Sequence, residues 1–222
     1  MNKLVKAEFF KLFKSMAFRL LLFFSLSMGG LHGLMAVLRV DAIMGYEVLS
    51  MELAPDLIYA ALICLFTNSY VCDEFSNRTF GMSLLCGFSR RNVFLAKTLV
   101  FFTGLLPLVI LPVIVSTAIT TLGNGFGVTW DDKIAFDVTS RVLCYIFCYL
   151  FLGSLALLAA STIQDRIGSF GAALAGMLVL MFTVKIDFQR LEILWIFIPA
   201  SLIATMVTST MAVLVFTKRD FK

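Results

Sequence analysis

Charged positions are sparse along the chain, and the uncharged runs between them set the elements. Between Arg19 and Arg39 lie 19 residues without a formal charge. Asp56 to Asp73 leaves 16, Lys97 to Asp131 leaves 33, Arg141 to Asp165 leaves 23, Arg166 to Lys185 leaves 18 and Glu192 to Lys218 leaves 25. A helix rises about 1.5 Å per residue, so about 20 apolar residues cross a hydrocarbon core of about 30 Å. The runs predict an all-α membrane protein with six transmembrane helices, at about 20–38, 55–72, 98–122, 142–164, 167–184 and 199–217. The second is short and draws Ala54 and Pro55 into its first turn, where proline is tolerated. The third run exceeds one span and ends in the turn Gly123-Asn124-Gly125-Phe126-Gly127.

Two segments outside these runs have helical periodicity. In residues 2–16, Val5, Phe9, Leu12, Phe13 and Met16 fall within about 100° of one another at helical spacing. Lys3, Lys6, Glu8, Lys11 and Lys14 take the opposite side, with Leu4 and Phe10 at the edges. A basic face opposite a Phe-rich face suits a helix lying in the membrane interface. The polar stretch from Ser15 to Arg19 offers a bend before the first span. The loop 73–97 predicts a short helix at 79–86 carrying Phe80, Met82, Leu84 and Leu85, closed by Gly87. Ser89 reads as the N-cap of the next helix. Arg90 and Arg91 then sit at a helix N-terminus, where the dipole disfavours cations unless phosphates or a partner's carboxylates offset it. Exposed apolar residues beside a basic flank describe a docking surface; packing on the membrane surface is the alternative.

Composition narrows the class. Of 222 residues 60% are apolar and 14% charged, with a mean hydropathy of +0.98. That excludes an ordinary soluble enzyme, a disordered chain and a nucleic-acid binder. Lysine and arginine divide unequally between the two sets of loops, thirteen against five, which predicts both termini in the cytoplasm. The net charge of +4 is then a signal of topology. The first span reads as a retained signal anchor, with no small-x-small cleavage site after it. Cys64, Cys72, Cys86, Cys144 and Cys148 fall in spans or on the cytoplasmic side, an odd number that reads as packing residues rather than a disulfide framework.

Candidate chemistry is thin. His32, the chain's one histidine, is a possible intramembrane polar site: a proton relay, or a packing residue beside small neighbours. Gly29 and Gly33 form a GxxxG pair, and Gly168, Ala172 and Gly176 a longer small-residue stripe; both favour close helix contacts. Pro107 and Pro112 predict a kink in the third span. No phosphate-binding loop precedes Lys97-Thr98, so ATP hydrolysis is not expected in this chain. Asp73-Glu74-Phe75-Ser76-Asn77-Arg78 resembles the acidic-pair motif of intramembrane prenyl-protein-type proteases, but the histidines such a site needs in later spans are missing. No enzyme activity, metal or bound cofactor is expected.

Three pieces in order carry a family resemblance. The arm KAEFFKLFKS is similar to an interfacial elbow helix. Glu74, Arg78, Thr79 and Phe80, followed by Ser89, Arg90 and Lys97, are similar to an E-x-x-x-[RG]-T-[LF] and S-R-x(6,7)-K stretch. Phe216-Thr217-Lys218-Arg219-Asp220 resembles a closing F-x-x-R-D. Together they resemble the permease subunit of ATP-binding-cassette exporters, in the type-2 permease superfamily, over the whole chain. The resemblance implies a bacterial plasma-membrane protein working as a pair of permease chains, identical or paralogous. Separate ATPase subunits would carry ATP and magnesium. Glu74, Arg78, Thr79, Phe80, Met82, Leu84, Leu85, Arg90 and Arg91 would couple to the ATPase. It also implies re-entrant helices near 185–198, with Pro199 opening the last span and Trp195 at the outer interface. The expected cargo is amphipathic: a peptide antibiotic or bacteriocin, a drug or a similar molecule, moved outward. The alternative is a self-contained secondary transporter or immunity protein without an ATPase.

Overall fold

The computed structural model describes residues 2–39, 43–54, 56–76, 88–163, 165–183 and 191–218, and every regular element among them is helical. The elements are α1 (Asn2–Lys14), α2 (Met16–Leu38), α3 (Gly45–Glu52), α4 (Leu57–Thr67), a π-helical turn (Asn68–Cys72), α5 (Asp73–Ser76), α6 (Arg90–Asn124), α7 (Asp132–Ile163), α8 (Arg166–Thr183) and α9 (Leu191–Lys218). Four stretches are long and apolar enough to cross a membrane: α2, α6, α7 and Ile198–Phe216 within α9. A fifth results if α3 and the Leu57–Cys72 stretch, bent by 53° from each other, form one span. In α8 the apolar stretch Ile167–Leu178 is shorter. The set is consistent with a multi-pass membrane protein.

Several boundaries differ from the sequence expectation. The break between α1 and α2 is confined to Ser15, whose hydroxyl caps the amide of Phe18 at 3.5 Å, so the second helix starts at Met16 rather than near 20. The Ser89 hydroxyl likewise accepts from the Asn92 amide at 3.4 Å, and α6 runs unbroken from Arg90 to Asn124. α7 begins at Asp132, placing Lys133, Asp137 and Arg141 on helix rather than loop. A helix has no reason to stop where the hydrocarbon does. The Ile193–Ile198 stretch is no separate re-entrant piece: α9 continues through Pro199. Proline removes one backbone donor, and the turns on either side keep theirs. Residues 184–190 lie outside the described residues, as do Pro55, Cys86 and 77–87 with the expected coupling helix.

The helices alternate in direction. α2 and α6 run side by side and parallel, shown by the successive contacts Gly29 to Pro112 and Gly33 to Ser116. α7 returns antiparallel to α6, with the Tyr145 hydroxyl donating to the Val109 carbonyl at 3.0 Å. α8 packs on α7 and α4, and α9 packs on α7. The turn after α6 uses Gly125 and Gly127 at φ +82° and +88°, a region that suits residues without a Cβ.

The α2–α6 seam explains how prolines sit inside a buried helix. Pro112 has no amide hydrogen, which frees the carbonyl of Leu108 four residues earlier. The Ser25 hydroxyl of α2 donates to that carbonyl at 2.5 Å. One turn on, a Cβ at Gly29 would lie 2.6 Å from the Cα of Pro112, and one at Gly33 would lie 2.8 Å from the Ser116 carbonyl oxygen. Glycine lets the backbones touch, and serine satisfies the acceptor that proline exposes. The expected small-residue stripe on α8 behaves differently. Ala172 and Gly176 are exposed, a Cβ at Gly176 would meet nothing within 4 Å, and one at Gly168 would meet Ile163 at the end of α7 and Asp165 of the turn between the helices. Among the described residues, Gly176 meets no neighbouring helix.

Candidate functional site

The arm α1 lies against the start of α6 and against α2, and its Glu8 reaches Tyr70 of the π-helical turn. Its buried stripe is Leu4, Glu8 and Leu12. Val5 and Phe9 are half-buried, while Phe13 and Met16 are exposed with Phe10. The expected apolar face is thus split. Leu12 turns into the protein, where Gly104 of α6 leaves room: a Cβ there would stand 2.8 Å from Leu12 Cδ2. Phe10, Phe13 and Met16 point outward. Glu8, expected among the solvated lysines, is only 3% exposed.

Glu8 is buried because cations wait for it. Its Oε2 accepts from the Tyr70 hydroxyl at 3.0 Å and from Lys97 Nζ at 3.3 Å. Its Oε1 accepts from Lys11 Nζ at 2.7 Å. Glu74 binds the same two cations, Lys97 at 2.8 Å and Lys11 at 3.3 Å. Each carboxylate therefore bridges both ammonium groups, and the formal charges of these four groups cancel. Lys97, at 1% exposure, also stands 4.3 Å from the centre of the Tyr70 ring. A buried ion pair offsets its desolvation only when the remaining polar valences are met, and here they are. Beneath it Tyr70, Phe66 and Phe101 stack, Phe66 on Phe101 at 5.0 Å, and close the cluster off from the bundle interior.

Burial pushes the Glu8 carboxyl upward, but Lys97, Lys11 and the Tyr70 hydroxyl outweigh it and hold it below its ordinary value. Burial likewise pulls Lys11 down, and Glu8 and Glu74 more than reverse it, so its ammonium is held above the ordinary lysine value. Both shifts favour the charged forms.

The network joins three segments far apart in sequence: the arm, the start of the 77–87 loop and the first turns of α6. The end of α9 meets the same place. Phe216 stacks on Phe94 at 4.5 Å and shares a buried cluster with Leu4 and Val93. Glu74, expected to face a partner, instead turns inward to the two lysines. Arg90 and Arg91 are exposed at the N-terminus of α6. Arg78, Thr79, Phe80, Met82, Leu84 and Leu85 lie outside the described residues.

At the opposite end of the bundle His32 has a partner that spacing did not reveal. Its Nδ1 lies 2.7 Å from Glu52 Oε1 on α3. α3 is held there by further bonds. The amides of Gly45 and Tyr46 donate to the carbonyls of Gly125 and Phe126 at 3.0 and 3.1 Å. The Tyr46 hydroxyl donates to Asp137 at 2.8 Å, and Arg141 donates to the same carboxylate oxygen at 2.9 Å. Between α3, α6 and α7 lies a groove of about 400 Å³ lined by Leu49, Leu53, Ile110, Val113, Ile114 and Tyr145 among others. Cys64, Cys72, Cys144 and Cys148 are buried and outside any disulfide, and Cys72 Sγ shares a hydrogen bond with the Ser169 hydroxyl at 3.0 Å.

Sequence reasoning missed Glu8, Tyr70 and Glu52 as partners and took Lys97 only as a motif member and loop charge. One signal was present: Glu8 stands four residues from both Leu4 and Leu12, hence on their face. No family model matches this chain, no curated protein matches it, and no solved structure matches it.

Proposed function

We propose that the chain is the membrane-spanning permease subunit of an ATP-binding-cassette exporter of the type-2 kind. It crosses the membrane six times with both termini in the cytoplasm, and separate ATPase subunits drive an amphipathic substrate outward. The observation that carries this reading is convergence. The arm, the Glu74–Lys97 stretch and the Phe216 ending, separated by most of the chain, meet at one end of the bundle through the Glu8–Lys97–Glu74–Lys11 network and the Phe94–Phe216 stack. A lever that transmits force from a partner needs a base that does not yield. The network supplies one at the root of the 77–87 loop and ties it to the arm and to α6, the longest helix. Phe10, Phe13 and Met16 then face lipid, and Arg90 and Arg91 face phosphate or a partner's acidic groups. The exposed apolar rows of α9 (Ile203, Met206, Met211) and α2 (Phe23, Leu38) face lipid or the second permease chain.

Co-purification tests the reading. The tagged chain is expressed with its neighbouring genes and extracted in mild detergent. A stoichiometric ATPase should accompany it, and Phe80→Asp or Leu84→Asp should release that ATPase while leaving the melting temperature of the permease unchanged. A chain that purifies alone from several detergents, with transport that survives ATP depletion and follows an ion gradient, would replace this reading with a self-contained transporter or immunity protein.

A further inference from the structure

A second cavity, of about 270 Å³, lies between α2 and α3, away from the ion network. His32, Met35 and Arg39 line it from α2, and Val48, Met51 and Glu52 from α3. His32 and Met35 are three residues apart and so share a helix face. Met51 adjoins Glu52, whose carboxylate holds His32.

The donor set is unusual. A histidine whose one ring nitrogen is fixed by a carboxylate has the tautomer and orientation of a metal ligand, with the other nitrogen left to bind. Two thioethers line the same cavity from the two facing helices. A zinc site needs more nitrogen, thiolate or carboxylate donors than one histidine and one glutamate give, and among the described residues no three of His, Cys, Asp and Glu gather around a point. Thioether with imidazole suits a soft cation such as copper(I). Glu52 sets one negative charge against one bound monovalent cation. The remaining charge on the cavity wall is Arg39, one turn beyond Met35, whose exposed side chain can turn its guanidinium to water. Glu47, also on α3, is engaged by the Met44 amide at 3.3 Å.

We propose that His32, Met35 and Met51 form a binding site for a soft monovalent metal cation of the copper(I) class, with Glu52 orienting the imidazole. The site stands whether or not the ATPase reading holds, since it shares no residue with the network.

The test uses the full-length chain in detergent, labelled with ¹³C at the methionine methyls and titrated with silver(I) as a redox-inert stand-in for copper(I). Met35→Leu and Met51→Leu, which conserve volume, assign the two signals among the eleven methionines. Both signals should shift together and saturate, and His32→Ala should raise the silver concentration needed at least tenfold. Sodium and zinc should move neither. The methyl readout separates this site from the cysteines, because thiol binding at Cys64 moves Met177, its neighbour at 3.4 Å. The proposal fails if Met35 and Met51 stay in place while other methyls move. It fails equally if folded His32→Ala titrates like the parent. Should His32→Ala not fold, the joint shift of the two assigned methyls in the parent chain decides.

Discussion

Replacing Lys97 with methionine tests the ion network most directly. Methionine keeps most of the side chain's length and removes only the charge. The four-charge network then carries one excess negative charge. Glu8 stays nearly buried but keeps Lys11 and the Tyr70 hydroxyl, and Glu74, one-fifth exposed, keeps Lys11 and gains water. Breaking a buried pair costs about 3–5 kcal/mol; the partners that remain place this case near about 3 kcal/mol. For a chain of this size that lowers the melting temperature by about 6–12 °C. Glu8→Gln alone should cost less, since the amide still accepts from Tyr70. The double variant restores charge balance, so its cost should fall short of the sum of the singles by about 1–3 kcal/mol. Detergent-solubilised chains, heated in steps and scored for monodisperse material, supply the four midpoints of the cycle. A drop of less than about 2 °C for Lys97→Met, or simple additivity of the two changes, would refute the idea that Lys97 and Glu8 support each other.

Three further outcomes are expected. The depressed Glu8 carboxyl contributes stability that is present above its ordinary value of 4.5 and lost as pH falls through its lower folded value. The raised Lys11 contributes stability that is present below 10.5 and lost as pH climbs through its folded value. Melting midpoints should therefore be flat between about pH 5 and pH 10, and Glu8→Gln should shallow the acid limb; an unchanged acid limb would contradict the assignment. Gly29→Ala should destabilise by about 1–3 kcal/mol through the clash with Pro112, while Gly30→Ala, which meets nothing within 4 Å, should be neutral or stabilising; equal midpoints for the two would deny the close α2–α6 seam. Ser25→Ala should cost about 1–3 kcal/mol by stranding the Leu108 carbonyl, and Pro112→Ala should recover most of it by returning an amide to that acceptor, which thermal midpoints of the single and double variants will show.

The long apolar helices α2, α6, α7 and the Ile198–Phe216 stretch were legible, because each is written as an uncharged run, whereas the runs promised six spans and the described helices give four or five. So were the Ser89 cap and the Gly29–Gly33 contact face, which depend on local chemistry. The arm was half legible. A helical wheel shows that Leu4, Glu8 and Leu12 share one face and Phe9, Phe13 and Met16 another, but which face meets protein depends on what lies opposite. That information sits at Tyr70, Glu74 and Lys97, more than sixty residues away. Counting Lys97 and Glu8 as solvated markers hid them, since charge counting assumes water. Glu52 carried no signal of its own for the same reason, although an acceptor such as this was what His32 required. The α8 stripe shows the opposite limit: small residues permit a close contact without supplying the helix that would make it, and among the described residues Gly176 meets none.

The joint between Ser25 and Pro112 also constrains the order in which this sequence can have been assembled. A chain with the proline but without the hydroxyl holds a bare carbonyl in an apolar interior, a state selection would remove. A chain with the serine but without the proline loses nothing, since the hydroxyl merely shares an acceptor already bonded within α6. The tolerable route therefore passes through serine first. In related sequences, proline at 112 should occur with a hydroxyl at 25, whereas serine at 25 should be free to occur without the proline.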